Sequence, residues 1–168
     1  MLDRMGQILS ITGIKGSMFY VEKYKVFKNF ASKEVCNILN NVANNKPLPA
    51  QAYDMKKAII TKFKLKVYKT PEESLYFTID GEGDSKPLSK NPVHYEKHNT
   101  YLFTVITKKG EGGAYELENV MSIDKVDLEQ GDLLVICANR IQWGYEPVKQ
   151  QRISLTTCLS IDDYAVQD

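Results

Sequence analysis

From position 101 onward the chain is a succession of short apolar or β-branched runs with turn residues between them, and this pattern constrains the fold more than any other feature. The runs cover residues 101–107, 114–117, 125–129, 133–138 and 153–161. Each has the length of a strand and is too short for an ordinary helix. Many short strands in series bury their apolar faces by packing as two sheets or by closing on themselves. Residues 7–12 and 19–27 read as two more strands, parted by Gly13 and Gly16. Ser32 then offers an N-cap, Val35, Ile38, Leu39 and Val42 follow at helical spacing, and Asn44, Asn45 and Pro47 end the helix. A second short helix is expected over 50–60. The expectation is a mainly β (α+β) domain, a jelly roll with helical support near its N-terminus.

The chain of 168 residues suits one domain with one sizeable core. It shows no internal repeat and no low-complexity tract. Residues 78–87 are rich in Gly, Asp and Ser, which predicts a mobile loop over about 80–92. Apolar residues make up 43% and charged residues 26%, which excludes a disordered chain. No apolar run approaches the ~20 residues of a membrane helix, and the first residues lack a basic region followed by an apolar one, so neither membrane nor secretory targeting is expected. Cys36, Cys137 and Cys158 are scattered, with no Cys-x-x-Cys pair. They predict reduced core thiols in a cytoplasmic protein rather than a disulfide framework or a zinc site. A net charge of +1 supplies no global attraction to nucleic acid.

Charge is uneven locally. Residues 56–69 hold six lysines and no acid, and Lys62, Lys64 and Lys66 alternate with Phe63, Leu65 and Val67. Period-2 alternation predicts a half-buried strand with a lysine face. That face is either a phosphate-facing patch or a solvated edge guarded against pairing. The absence of an aromatic stacking ladder favours the second.

Four segments in order resemble the prolyl-hydroxylase-like branch of the iron(II)/2-oxoglutarate dioxygenases. Residues 26–36 resemble its opening strand and helix. Residues 102–107 with Gly112 and Gly113 resemble the strand and turn after the first iron ligands. Residues 126–136, with Gly131 and Asp132, resemble its Gly-Asp turn and the apolar strand beyond. The closing stretch 143–161 carries Trp143 and, nine residues on, Arg152. Together they span about residues 26–161. The resemblance implies a double-stranded β-helix that positions iron(II) and 2-oxoglutarate, which supply the oxidant. It implies that Arg152 grips a carboxylate of the cosubstrate. It also implies iron ligands at His94 and Glu96, a His-x-Glu variant of the usual His-x-Asp pair. Where the last ligand histidine would stand, the chain has Trp143, its only tryptophan.

Such a centre needs two histidines and a carboxylate on one face of the metal. The second histidine of this chain is His98. If 94–98 is extended, four residues at ~3.3 Å each separate the two rings by ~13 Å, against metal–nitrogen bonds of ~2 Å. The indole nitrogen of Trp143 is a donor only and cannot ligate. Each of these residues also has a plain alternative. His94 and Glu96 can be polar loop residues, Arg152 can pair with a structural carboxylate, and Trp143 can plug the pocket with apolar bulk or serve as a stacking platform for a ring. Gly112 and Gly113 read as a tight turn, since no helix follows to bind phosphate.

Three functions remain, in order of preference. The first is a degenerate member that binds an unknown protein or small-molecule ligand without iron catalysis. The second is an active oxygenase with an atypical His94 and Glu96 site. The third is a nucleic-acid-associated module using the 56–69 lysines. The small size would suit a phage-encoded accessory protein.

Overall fold

Continuous burial along the strands Asn99–Lys108 (β4) and Arg152–Ile161 (β11) sets the architecture. Nearly every residue of both is buried, so both strands are covered on two faces. The computed structural model describes residues 19–68, 74–92 and 98–161. β4 and β11 lie side by side, antiparallel, at the heart of a five-stranded sheet. The other members are Tyr24–Phe27 (β1), Leu75–Asp80 (β2) and Leu133–Cys137 (β8), in the order β1-β8-β4-β11-β2. A four-stranded sheet, β3-β9-β6-β7, comprises Lys86–Ser89 (β3), Tyr115–Asn119 (β6), Ser122–Val126 (β7) and Trp143–Tyr145 (β9). Glu111–Gly112 (β5) pairs with Val148–Gln150 (β10) in a third, small sheet.

Two helices cover the outer face of the large sheet. Lys33–Val42 (α1) starts where predicted: Ser32 Oγ accepts from the Val35 N–H at 3.2 Å. α1 buries Cys36 and Leu39; Ala50–Lys62 (α2) buries Ala52, Met55 and Ile59. They close on an aromatic cluster in which Phe63 meets Phe19, Phe27, Phe30 and Phe103 at centroid distances of 5.0–6.4 Å. A second apolar cluster lies between the two larger sheets. Leu102, Ile106, Leu134, Ile136 and Cys158 face Tyr115 and Leu117 there. The expected mainly β jelly roll with helical support is therefore the observed fold.

The predicted Gly-Asp turn is a structural stitch. Gly131 has φ +92°, and a Cβ there would stand 2.4 Å from the Ala31 carbonyl oxygen, so only glycine fits. Asp132, fully buried, accepts from Lys28 Nζ at 2.5 Å and from the backbone N–H groups of Glu129 and Asn29 at 2.9 and 3.1 Å. Burial alone would raise this carboxyl's pKa, but the Lys28 and backbone hydrogen bonds hold it below the usual carboxylate range.

Three expectations are corrected. The lysine alternation is not a strand. Lys62 ends α2, and Lys64 follows with φ 51°. The N–H of Leu65 bonds the Ile60 carbonyl at 3.0 Å, and that of Lys64 bonds Thr61 at 3.3 Å. This is a helix-ending Schellman turn, whose buried Phe63 and Leu65 imitate strand periodicity. The loop expected over 80–92 shrinks to a turn between β2 and β3. Asp84 fastens it by accepting from the Gly81 N–H at 2.8 Å, and β3 pairs with β9. The strand expected over 19–27 pairs only from Tyr24, although Phe19 and Val21 are buried. The strand expected over 7–12 lies outside the described residues. No described helix is long and apolar enough to cross a membrane.

Candidate functional site

Strand period 2 places Arg152, Ser154 and Thr156 on the inner face of β11. The register with β2 sets Asp80, Thr78 and Tyr76 opposite them, one to one. Thr104 of β4 stands across from Thr156, and their hydroxyl oxygens are 2.9 Å apart. This half of the interior is thus polar, whereas the half beneath Leu102, Ile106 and Leu134 is apolar. From the smaller sheet come Tyr115, Trp143 and Tyr145, and β3 adds Lys86. These residues enclose a cavity of about 290 Å³, near the lower end of the small-molecule range.

Arg152 is 4% exposed and lies just beyond the cavity's lining. Its Nη1 donates to the Gly113 carbonyl at 2.5 Å, and Nη2 is 3.7 Å from Asp80 Oδ2. The rings of Tyr115 and Tyr145 both pack against the guanidinium, 4.6 Å from its carbon to each centroid, and against each other, with their centroids 5.5 Å apart. The Tyr145 hydroxyl donates to Asp80 Oδ1 at 2.9 Å. Burial, with this bond to a carboxylate, pushes the Tyr145 phenol far above its ordinary pKa. Burial likewise raises that of Tyr115. Arg152 Nε and Nη2 are buried without a hydrogen-bond partner. Gly113 is required here: its φ is +71°, and a Cβ would stand 2.9 Å from Arg152 Nη1.

Trp143 forms part of the cavity wall, half-buried. Its indole N–H donates to Asn91 Oδ1 at 2.9 Å, and Lys86 Nζ sits over the ring, 4.0 Å from its centroid. The same ammonium donates to the Trp143 carbonyl at 2.7 Å, Ser89 Oγ at 2.9 Å and the Pro87 carbonyl at 3.3 Å. Burial lowers its pKa.

The fold thus brings Trp143 and Arg152 to one interior, linked by Tyr145. His94 and Glu96 lie outside the described residues. His98 stacks on Tyr68, with ring centroids 4.1 Å apart. Lys62 and Lys64 belong to the end of α2, where Lys62 Nζ lies 5.7 Å from the Phe30 ring centroid, and Lys66 is exposed beyond it. Among the described residues, no group of three or more His, Cys, Asp or Glu could hold a metal ion. Asp80, Tyr115, Tyr145 and the cavity hydroxyls were not foreseen. A signal existed in β11, where Ser154 and Thr156 alternate with Ile153 and Leu155.

No protein-family model and no curated protein matches the chain. Solved structures do. A viral collagen prolyl hydroxylase from Paramecium Bursaria Chlorella virus-1, in a 2OG complex, aligns with TM-score 0.62 at 14% identity, over 83% of this chain and 96% of that one. A prolyl-4-hydroxylase from Pseudomonas putida gives TM-score 0.64 at 12% identity, over 95% and 94%. A prolyl hydroxylase from Trichoplax adhaerens, in complex with a hypoxia inducible factor peptide fragment, gives 0.62 at 10% identity, over 95% and 88%. The chain has the fold of the 2-oxoglutarate-dependent prolyl hydroxylases.

Proposed function

We propose that this chain is a 2-oxoglutarate-dioxygenase-like domain that binds a ligand or partner through its interior cavity and has lost iron-dependent catalysis. The observation that carries this reading is Trp143. In the resemblance to the dioxygenases it stands in the slot of the last iron-ligating histidine. Its indole nitrogen donates to Asn91 and offers no lone pair to a metal. His94 and Glu96 would supply two ligands, and two fall short of the facial triad. The cosubstrate side fits poorly as well, because the charge of Arg152 already faces Asp80. The described donor set therefore does not suit an iron and 2-oxoglutarate centre. What suits the cavity is recognition, with a wall of tyrosine and tryptophan rings and hydroxyls along the floor.

The test is anaerobic addition of iron(II) and 2-oxoglutarate, read by visible absorption and melting temperature. The wild type is expected to give neither a charge-transfer band nor a thermal shift, and Trp143→His is expected to raise iron affinity at least tenfold. A wild-type band abolished by His94→Ala would overturn the reading in favour of the atypical oxygenase. The nucleic-acid alternative loses its strand-face basis, since Lys62 and Lys64 sit at a helix end. Binding to single-stranded oligonucleotides with a steep salt slope would restore it.

A further inference from the structure

We infer that Asp80 is a built-in counter-anion for Arg152, a specificity-determining residue that bars carboxylates from the interior cavity and leaves it to uncharged ligands. The inference rests on the reading of the cavity as a ligand site, and it names the class of ligand admitted.

Arg152 would attract a carboxylate if its charge were free. A guanidinium matches a carboxylate with two parallel N–H donors, and Arg152 keeps two buried N–H groups, Nε and Nη2, without hydrogen-bond partners. Strand pairing, however, fixes Asp80 directly opposite Arg152. Asp80 is 5% exposed and its Oδ2 lies 3.7 Å from Nη2. Tyr145 holds the other carboxylate oxygen at 2.9 Å. Tyr145 and Tyr115 both pack against the guanidinium. Asp80, Tyr115 and Tyr145 line the cavity, whereas Arg152 does not. A ligand in the cavity therefore meets the anion of this pair before its cation. A second carboxylate within ~4–6 Å of Asp80 would be a like-charge neighbour at a site with little water to screen it.

The other cation at the cavity is spent too. Lys86 has three ammonium protons and three oxygen acceptors, at 2.7, 2.9 and 3.3 Å, with the Trp143 ring beneath. Beyond Asp80, whose charge Arg152 balances, what remains for a ligand is neutral: the hydroxyls of Thr78, Thr104, Ser154 and Thr156, with aromatic walls. This arrangement selects an uncharged ligand that exchanges hydrogen bonds with hydroxyls.

Asp80→Asn tests the inference. Asparagine keeps the shape and the acceptor for Tyr145 but removes the charge. Glutarate and its uncharged diamide, glutaramide, are titrated into both proteins at constant ionic strength, with chloride as the anion control, and read by calorimetry and melting temperature. The wild type should bind glutarate no better than glutaramide. Asp80→Asn should gain at least tenfold in glutarate affinity and show a melting temperature that rises with carboxylate and not with chloride. If Asp80→Asn folds only when glutarate is present, that rescue supports the inference equally. Asp80→Ala, which vacates volume as well as charge, provides a second reading. Glutarate binding by the wild type as tight as by Asp80→Asn, or no carboxylate response from either variant, overturns the inference. Neither outcome depends on iron, so failure here is distinct from failure of the iron titration.

Discussion

The outer and inner faces of the five-stranded sheet are built from the same strands and buried to the same degree, yet where the inner face meets the cavity its chemistry is opposite. Outward, β4 presents Tyr101, Phe103 and Val105, and β11 presents Leu155, Leu159 and Ile161, all within the aromatic cluster beneath the helices. Inward, the same strands present Thr104, Ser154, Thr156 and Arg152 around the cavity. Burial alone therefore does not say what a side chain is for. The two regions also treat a buried charge differently. Asp132, at the stitch between the sheet and the helix layer, takes hydrogen bonds from three donors. Arg152 keeps two N–H groups without acceptors. A fold under selection for stability alone satisfies such charged groups or replaces them with apolar ones, which supports the proposed reading of the inner face as a ligand site.

The largest expected effect falls on the outer face. Phe63→Ala should remove about 3–5 kcal/mol of stability, the usual loss for a buried phenylalanine, seen as a lower urea midpoint. A loss below about 1 kcal/mol would mean that the helix layer is not the main source of stability. Next comes Asp132→Asn, which should cost about 1.5–3 kcal/mol near neutral pH, the scale of hydrogen bonds to a charged group. The sign follows from the lowered carboxyl pKa. Such a group stabilises the fold above its unfolded pKa of about 3.9, and the contribution is lost as pH falls through the lower folded value. The gap between variant and wild type should therefore be widest above about pH 5 and close in stronger acid. An equal gap at every pH would assign the effect to shape instead of charge. The smallest effect belongs inside. Thr104→Val with Thr156→Val removes both partners of one hydroxyl pair. Replacing both by groups of similar shape should shift stability by less than about 1 kcal/mol in either direction, while ligand capture by the cavity weakens. A loss as large as that of Phe63→Ala would make the inner hydroxyls structural and erase the contrast.

Much of the fold was legible because its signals are local. The Ser32 cap and the turn at Gly131 and Asp132 each carry their own physical cause within a few residues. The helical spacing of Val35, Ile38, Leu39 and Val42 marked α1 but not its inner face, since the helix buries Cys36 and Leu39 and leaves Val35 and Ile38 exposed. The misread segments depend on distant partners. β3 holds only four residues and forms by pairing with β9 more than fifty positions later, and short strands of this kind take their stability from neighbours. The turn before it reads as a loop until the Gly83 N–H donating to the Val148 carbonyl, and the Val148 N–H donating to the Asp84 carbonyl, pin it in place. At the site, the positions of Trp143 and Arg152 could be read from their spacing. The meaning of Arg152 could not, because its partner Asp80 is set by strand register and lay in the segment taken for a loop.

The three free cysteines give the two layers separate clocks. Cys36 and Cys137 are sealed in the outer cluster and Cys158 in the inner one. Burial raises the thiols of Cys36 and Cys158, the latter to about 11, so an alkylating reagent meets almost no thiolate in the closed molecule. Labelling of Cys36 then times the lifting of α1, and labelling of Cys158 times the parting of the two sheets around the cavity. If a ligand enters by loosening the inner layer alone, the Cys158 clock runs fast while that of Cys36 stands still, with no probe added to the chain.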